Sequence, residues 1–158
     1  MGRAADSDPV AAAAAWMPYL TAYGALVDIG HLRADDVILV TAPASSVGLA
    51  AIQVAIRLGA SAIAVTDDDA ASERLLEAGA AEVVNASHGG LVDVVMSRMA
   101  GRGADITFDA VAGPGVQLLA AATKQDGSLR SRLPVRRSDT TAGPRSYAAG
   151  VHQALHRL

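Results

Sequence analysis

The sequence contains no cysteine and very few aromatic residues. Without cysteine, the 158-residue chain can form neither disulfides nor thiolate metal sites, and it has no cysteine nucleophile. Aromatic residues make up 3% of a chain that is 51% hydrophobic and rich in alanine. The core must therefore be built from small and β-branched side chains in close contact.

Long apolar runs and a typical leader are also missing. No stretch approaches the roughly 20 apolar residues that a membrane-spanning helix needs. The alanines that follow Pro9 come after Asp6 and Asp8, and acidic residues at this place are atypical of a signal peptide. We therefore expect a cytoplasmic protein with no membrane partner.

Charges of both signs are present but unevenly distributed. Residues 128–158 carry six arginines and one acid, Asp139, whereas the net charge of the whole chain is −3. A basic tail can bind nucleic acid, but Tyr147 is its only stacking group and its arginines are scattered. We expect a solvated basic segment and no nucleic-acid partner.

Short apolar runs alternate with helical patterns along the middle of the chain. Residues 10–29 have a helical pattern, which Pro18 should kink or divide and Gly30 should end. Strands are predicted at 37–41, 62–66, 82–85 and 105–109, with helices at 47–58, 67–78, 90–99 and 116–123. This alternation predicts βαβ units and an α/β fold, a Rossmann-type doubly wound parallel sheet.

The first strand leads into the turn at which a doubly wound fold binds a dinucleotide. Such a loop exposes backbone amides at the positive end of a helix, where a pyrophosphate is stabilised. The spacing is Ala42-x-x-Ser45-x-x-Gly48, so small residues replace two of the usual glycines. Pro43 removes one amide donor, while the hydroxyls of Ser45 and Ser46 add donors. A purely structural interpretation, in which small residues only let a helix cross a strand closely, stays open.

Three consecutive acids follow the second strand. Asp67 lies nineteen residues beyond Gly48, near the spacing at which a carboxylate hydrogen-bonds the adenosine ribose. Since a 2′-phosphate would be repelled there, the sequence favours NAD(H) over NADP(H). Asp68 and Asp69 also suit N-capping of the following helix, a role that we predict for Asp69.

Several segments, taken together, resemble a known family. The segments are AAAWM with YLTAYGAL (13–26), VTA with SSVGLAAIQ (40–53), EAGA (77–80), GRGAD (101–105) and FDAVAGP (108–114). Their order and spacing resemble those of the cofactor domain of medium-chain dehydrogenases/reductases, in the quinone oxidoreductase and zinc-type alcohol dehydrogenase-like branch, over roughly residues 11–127. The resemblance implies nicotinamide-dependent hydride transfer.

The resemblance also implies which residues bind the cofactor. The family's threonine matching Thr21 and the segment matching 109–113 lie near the nicotinamide, and residues 45–48 match the pyrophosphate loop. Ala112 replaces a usual glycine, and no basic residue, which NADPH-using members carry, occurs between 67 and 72. The predicted cofactor-binding residues are Thr21, Ser45, Ser46, Val47, Gly48, Asp67, Asp109, Val111 and Gly113.

The helical and strand patterns end after Gly127. Leu129 could begin a fifth strand, but arginines interrupt it and Pro134 would break a central ladder. The sheet should therefore be incomplete in its C-terminal half. We predict an N-terminal tail over 1–9, an NAD(P)-binding Rossmann-like domain over 10–127 and an irregular basic tail over 128–158.

No residue of the chain stands out as catalytic. The family places a separate β-rich catalytic domain before the cofactor domain, and the sequence shows no such pattern. His152 and His156 lack a third ligand, so zinc is not expected in this chain. An oxidoreductase domain, a non-catalytic dinucleotide-binding module and a protein-interaction fragment all stay open. An exposed sheet edge would also favour a homo-oligomer.

Overall fold

The computed structural model of the chain describes residues 9–112 and 115–131. Within them, α1 continues into a π-helical turn before the first strand, and 3₁₀ turns precede α3 and follow β3. No described helix is both long and apolar enough to cross a membrane. The elements are α1 (Pro9–Tyr23), the π-helical turn (Gly24–Ile29), β1 (Val37–Thr41), α2 (Ser46–Arg57), β2 (Ser61–Thr66), α3 (Ser72–Glu77), β3 (Glu82–Asn85), α4 (Leu91–Arg98), β4 (Ala104–Asp109), α5 (Val116–Ala122) and β5 (Thr123–Ser131).

The five strands form one parallel sheet in the order β3-β2-β1-β4-β5. The chain moves outward from β1 to β3 and then crosses back to place β4 on the other side of β1. Leu39 of β1 pairs with Ile63 on one side and with Thr107 on the other. The predicted doubly wound sheet is confirmed, and its strand order reverses between β1 and β4. The carboxyl ends of these two strands bound the crevice where this fold class binds ligands.

Helices cover both faces of the sheet. Alternate strand residues such as Ile38 and Val40 pack with α1, α2 and α3, whereas Leu39 packs with α4 and α5. Alanine fills the closest contacts, because Ala51 and Ala55 of α2 are fully buried. This small-residue packing agrees with the scarcity of aromatic residues in the sequence.

Of the two outcomes predicted for Pro18, a kink or a division of the first helix, the division is wrong. The α-helix runs through Pro18 to Tyr23, and its winding changes only at Gly24. Packing on α2 offsets the hydrogen bond that the proline removes, since Tyr19 Oη donates to Gln53 Oε1 and Ala22 is fully buried. The helical segment ends before Gly30, as predicted.

A fifth strand occupies part of the predicted irregular tail. β5 runs beside β4 to Ser131, four residues past the predicted domain boundary, with a register shift between Ala104 and Ile106 of β4. The arginine that was expected to interrupt it has partners: Arg130 Nη2 donates to the carbonyl oxygen of Ile29 at 2.8 Å. Because β5 lies at the edge of the sheet, it tolerates polar residues that a central strand would not. The remainder of the predicted tail, 132–158, lies outside the described residues.

Candidate functional site

The loop between β1 and α2 ends at a capped helix N-terminus. Ser45 is the N-cap residue: its Oγ accepts from the Gly48 amide at 3.1 Å, and its own amide donates to the Ala42 oxygen at 3.0 Å. Neither the Ser46 nor the Val47 amide donates to a described residue. Two donors therefore remain at the positive end of a 12-residue helix, an arrangement that suits an anion.

Gly48 permits the closest approach in this loop. A Cβ at this position would lie 2.4 Å from the Ala42 oxygen and 2.8 Å from Pro43 Cα, closer than real Cβ contacts come. Pro43 is itself fully buried against this contact. Gly48 thus allows the close helix–strand packing for which the dinucleotide-binding motif needs its third glycine.

The acids after β2 have different roles. Asp68 rather than Asp69 is the N-cap, since its Oδ1 accepts from the Ala70 amide at 2.9 Å. The 3₁₀ turn starts at Asp69, and Asp68 before it has the extended backbone of an N-cap residue. The prediction of Asp69 as the cap was therefore wrong by one residue. Asp69 accepts from Asn85 Nδ2 at 2.7 Å. Asp67 is exposed and bonds to no described side chain, which leaves its carboxylate available to a ligand.

Thr41 and Asp109 meet at the carboxyl ends of β1 and β4. Thr41 Oγ1 donates to Asp109 Oδ1 at 2.8 Å and accepts from the Ala110 amide at 3.0 Å. The same Oδ1 accepts from the amides of Val111 and Ala112, each at 3.1 Å. Both side chains are buried, with 8% of Thr41 and 3% of Asp109 exposed. Asp109 therefore fixes the backbone of the segment after β4 through these hydrogen bonds.

The structure brings only some of the predicted residues together. Thr21 is exposed on α1 and its Oγ1 donates to the Met17 carbonyl oxygen at 3.0 Å, so no hydrogen bond joins it to the loops after β1 and β4. Val111, two residues after β4, is 62% exposed, and Gly113 lies outside the described residues. Sequence reasoning missed Thr41, because its bond to Asp109 depends on β1 and β4 being neighbours in the sheet.

Comparison with known families decides the ancestry. The model for zinc-binding dehydrogenases matches residues 46–131, more than half of the chain. The chain belongs to the zinc-binding dehydrogenase family. This result confirms the resemblance to the cofactor domain of medium-chain dehydrogenases/reductases, and the matched range includes the Ser46 amide, Gly48, Asp67 and Asp109.

Individual relatives agree with the family match. A quinone oxidoreductase of Pongo abelii is 31% identical over 100 residues, which cover 63% of this chain and 30% of that protein. A Bacillus thuringiensis structure bearing the name NADPH:quinone reductase has a TM-score of 0.72 and 33% identity, over 78% of this chain and 37% of its own. The nucleotide-binding subdomain of the enoylreductase domain of PpsC from Mycobacterium tuberculosis has a TM-score of 0.67 and 25% identity, over 73% of this chain and 64% of its own. The chain thus spans less than two thirds of each.

The family's name refers to zinc. Residues 9–112 and 115–131 bring no three histidine, aspartate or glutamate side chains together as a metal-binding cluster. His152 and His156 lie outside the described residues. No role in the site is therefore assigned to a metal.

A nicotinamide dinucleotide does fit the residues at the start of α2 and the end of β2. The Ser46 and Val47 amides at the start of α2 are donors for a diphosphate. The contact at Gly48 leaves no room for a side chain and keeps the loop tight against the helix. Asp67 lies at the end of the next strand, where the fold class places the acid that binds the ribose.

A hollow of about 660 Å³ lies at the opposite end of the sheet, where β4 and β5 begin. Lys124 Nζ lies 2.6 Å from Asp105 Oδ1, and the Val37 amide donates to Asp105 Oδ2 at 2.8 Å. Burial raises the pKa of Asp105, but these two hydrogen bonds and the charges of Lys124 and Arg102 outweigh burial and hold that pKa below its usual value. The hollow lies away from the loops after β1 and β4, so it takes no part in the candidate site.

Proposed function

We propose that the chain binds NADH and presents it for hydride transfer to a conjugated carbonyl acceptor of the quinone class. The unpaired Ser46 and Val47 amides at the start of α2, behind the Gly48 contact, carry this proposal. The acceptor class follows the name of the Pongo abelii relative. Residues outside this chain would select the acceptor, because the chain spans 30% of that relative.

Each half of the dinucleotide has its own contacts in this proposal. The Ser46 and Val47 amides and the Ser45 hydroxyl bind the pyrophosphate, and Asp67 accepts hydrogen bonds from the adenosine ribose. Val111, exposed after β4, lines the nicotinamide half; by resemblance, Thr21 and Gly113 do so too. When bound, the nicotinamide supplies the hydride.

The preference for NADH over NADPH follows from charge. Asp67 is exposed, and Asp68 and Asp69 add two further carboxylates at the end of β2. His88 lies near these acids, but it already pairs with Asp69: its Nε2 is 3.5 Å from Asp69 Oδ2. A 2′-phosphate would thus meet like charges. The Bacillus neighbour is named for NADPH, so the proposal depends on the side chains of this chain alone.

Calorimetric titration with NADH and with NADPH tests the preference. We expect the parent chain to bind NADH more tightly than NADPH. The Asp67→Asn variant should reduce the ratio of the two dissociation constants on the order of tenfold, about 1.4 kcal/mol. Asp93→Asn, which removes an exposed charge from α4 on the other face of the sheet, is the matched control and should leave the ratio unchanged. Tighter binding of NADPH by the parent would contradict the proposal.

A dinucleotide-binding module without catalysis is the alternative function. It agrees with the described residues, which offer amide donors for a diphosphate and none to which we assign a catalytic role. Mixing the NADH-loaded chain with a soluble quinone separates the two. Loss of NADH absorbance supports hydride transfer, whereas bound but stable NADH supports the module. A chain that binds no dinucleotide would instead favour a protein-interaction fragment.

A further inference from the structure

Two polar side chains are buried at a place where burying apolar side chains would cost less free energy. Thr41 and Asp109 end the adjacent strands β1 and β4 and are almost completely shielded from solvent. A carboxylate in such surroundings is tolerated only with several hydrogen bonds. Asp109 Oδ1 accepts three, from the Thr41 hydroxyl and from the amides of Val111 and Ala112, whereas Oδ2 is buried with no partner among the described residues.

The bonded pair continues the strand pairing beyond its last backbone partners. The β1–β4 register ends with Val40 opposite Phe108, which places Thr41 opposite Asp109. At this position side-chain hydrogen bonds replace the backbone pairing of the strands, because Thr41 Oγ1 also accepts from the Ala110 amide. The end of β1 is thus connected to three consecutive amides of the segment after β4.

Strained alanines lie next to this pair. Ala42, immediately after Thr41, has a φ of +43°, and Ala112, whose amide Asp109 holds, has a φ of +58°. Left-handed backbone is unfavourable for residues other than glycine. It persists only where the surroundings hold it in place. The hydrogen bonds to Asp109 and Thr41 supply this restraint for the segment after β4.

We propose that Thr41 and Asp109 are a positioning pair that fixes the loop after β1 relative to the loop after β4, so that one dinucleotide contacts both. The inference rests on the proposed function, in which the first loop binds the diphosphate and Val111 lines the nicotinamide half. Neither side chain of the pair needs to touch the ligand. Their effect passes through the backbone of Ala42 and of residues 110–112.

Paired variants at Thr41 test the proposal. Thr41→Val keeps the shape and removes the hydroxyl, whereas Thr41→Ser keeps the hydroxyl. In calorimetry we expect Thr41→Val to weaken NADH binding about tenfold or more while changing AMP binding about twofold or less, because AMP lacks the half that reaches the second loop. Thr41→Ser should restore NADH binding. Amide hydrogen exchange at residues 110–112 should become faster in Thr41→Val and stay slow in Thr41→Ser.

The possible outcomes distinguish this inference from the proposed function. Unchanged NADH binding by folded Thr41→Val would overturn the positioning role and leave the proposed function standing. Equal losses for NADH and AMP would show a merely structural role and would also overturn it. If Thr41→Val does not fold, Asp109→Asn replaces it and is held to the same NADH and AMP criteria. A parent chain that binds neither ligand would refute the proposed function, and the positioning role with it.

Discussion

At the residue scale, the candidate site depends on one contact that leaves no space for a side chain. Gly48 lies against the carbonyl oxygen of Ala42, and its amide donates to Ser45 Oγ. Any larger residue must move the loop, the helix or both. The effect should reach the Ser46 and Val47 amides, which follow the same cap.

We predict that Gly48→Ala destabilises the chain and weakens NADH binding. The added Cβ would lie 2.4 Å from a backbone oxygen, and overpacking of this kind costs roughly 1–3 kcal/mol. Urea unfolding with and without NADH measures both effects. Gly115→Ala is the control, since its Cβ would meet nothing within 4 Å, and it should leave stability and binding unchanged. Equal stability of Gly48→Ala and the parent would contradict the assigned role of Gly48.

Sequence reasoning at this scale found the loop residues but not their bonding partners. The spacing after a buried strand predicted Ser45 and Gly48 as cofactor-binding residues; in the structure they form the helix cap and the close contact, and their part in binding stays a prediction. The choice between Asp68 and Asp69 as the cap depends on where the turn begins, which differs by one residue. The bond between Thr41 and Asp109 joins residues 68 apart and depends on strand order, so no local pattern indicates it.

At the scale of elements, β5 is held to the helical N-terminal segment by Arg130. Its Nη2 donates to the Ile29 oxygen at 2.8 Å and to Ser128 Oγ at 3.0 Å. Burial lowers the pKa of the Arg130 guanidinium. The last residue of the π-helical turn is thereby tied to the edge strand.

We predict that Arg130→Ala lowers the free energy of unfolding by about 1–3 kcal/mol, because it removes hydrogen bonds to a partly buried charged group. Arg98→Ala is the matched control. Arg98 is exposed on α4 and pairs with Glu82 at 3.0 Å, so its loss should cost at most about 1 kcal/mol. Denaturant unfolding of the two variants compares them. Equal effects would show that Arg130 does not hold β5.

The strands differ in how well the sequence predicts them, for a physical reason. β1, β2 and β4 are buried on both faces, and β1 and β2 appear as short apolar runs, such as VILVT at 37–41. β5 lies at the edge, has a register shift against β4 and contains two charged residues besides Arg130, so its composition resembles that of a loop. Its pairing depends on β4 and on Ile29, which are distant in sequence.

The Asp105–Lys124 pair links the starts of β4 and β5 and makes stability depend on pH. Since the pKa of Asp105 is lowered in the folded chain, its carboxylate stabilises the fold above the unfolded pKa of about 3.9 and loses that effect as the pH falls through the folded value. We predict that Asp105→Asn is less stable than the parent at neutral pH and that the difference shrinks below about pH 4. Urea unfolding across this range measures it, and a difference that does not change with pH would contradict the prediction.

At the scale of the whole molecule, both edge strands and one helix face are open in the described structure. β3 and β5 end the sheet, and on α1 the side chains of Trp16, Met17 and Leu20 are 66%, 60% and 57% exposed. Open edges favour pairing between chains. The sequence predicted the edges from the incomplete sheet, whereas the exposed helix face was visible only once α1 was seen to pack on α2.

We predict that the chain self-associates through a sheet edge in a concentration-dependent way, as measured by sedimentation velocity. Leu20→Lys adds a charge to α1 and leaves both edges intact, so it should associate like the parent. Loss of association in Leu20→Lys would assign the contact to the helix instead. A parent that remains monomeric at every concentration would contradict self-association altogether.

The most direct measurement of the central claim is an NADH titration followed by the backbone amide signals of the labelled chain. Binding of the diphosphate at the start of α2 predicts saturable shifts of the Ser46, Val47 and Gly48 amides, accompanied by Val111. Amides beside Lys124, at the opposite end of the sheet, should stay unchanged. Saturable shifts at Lys124 without any at Ser46 and Val47, or no saturable shift anywhere, would contradict the account.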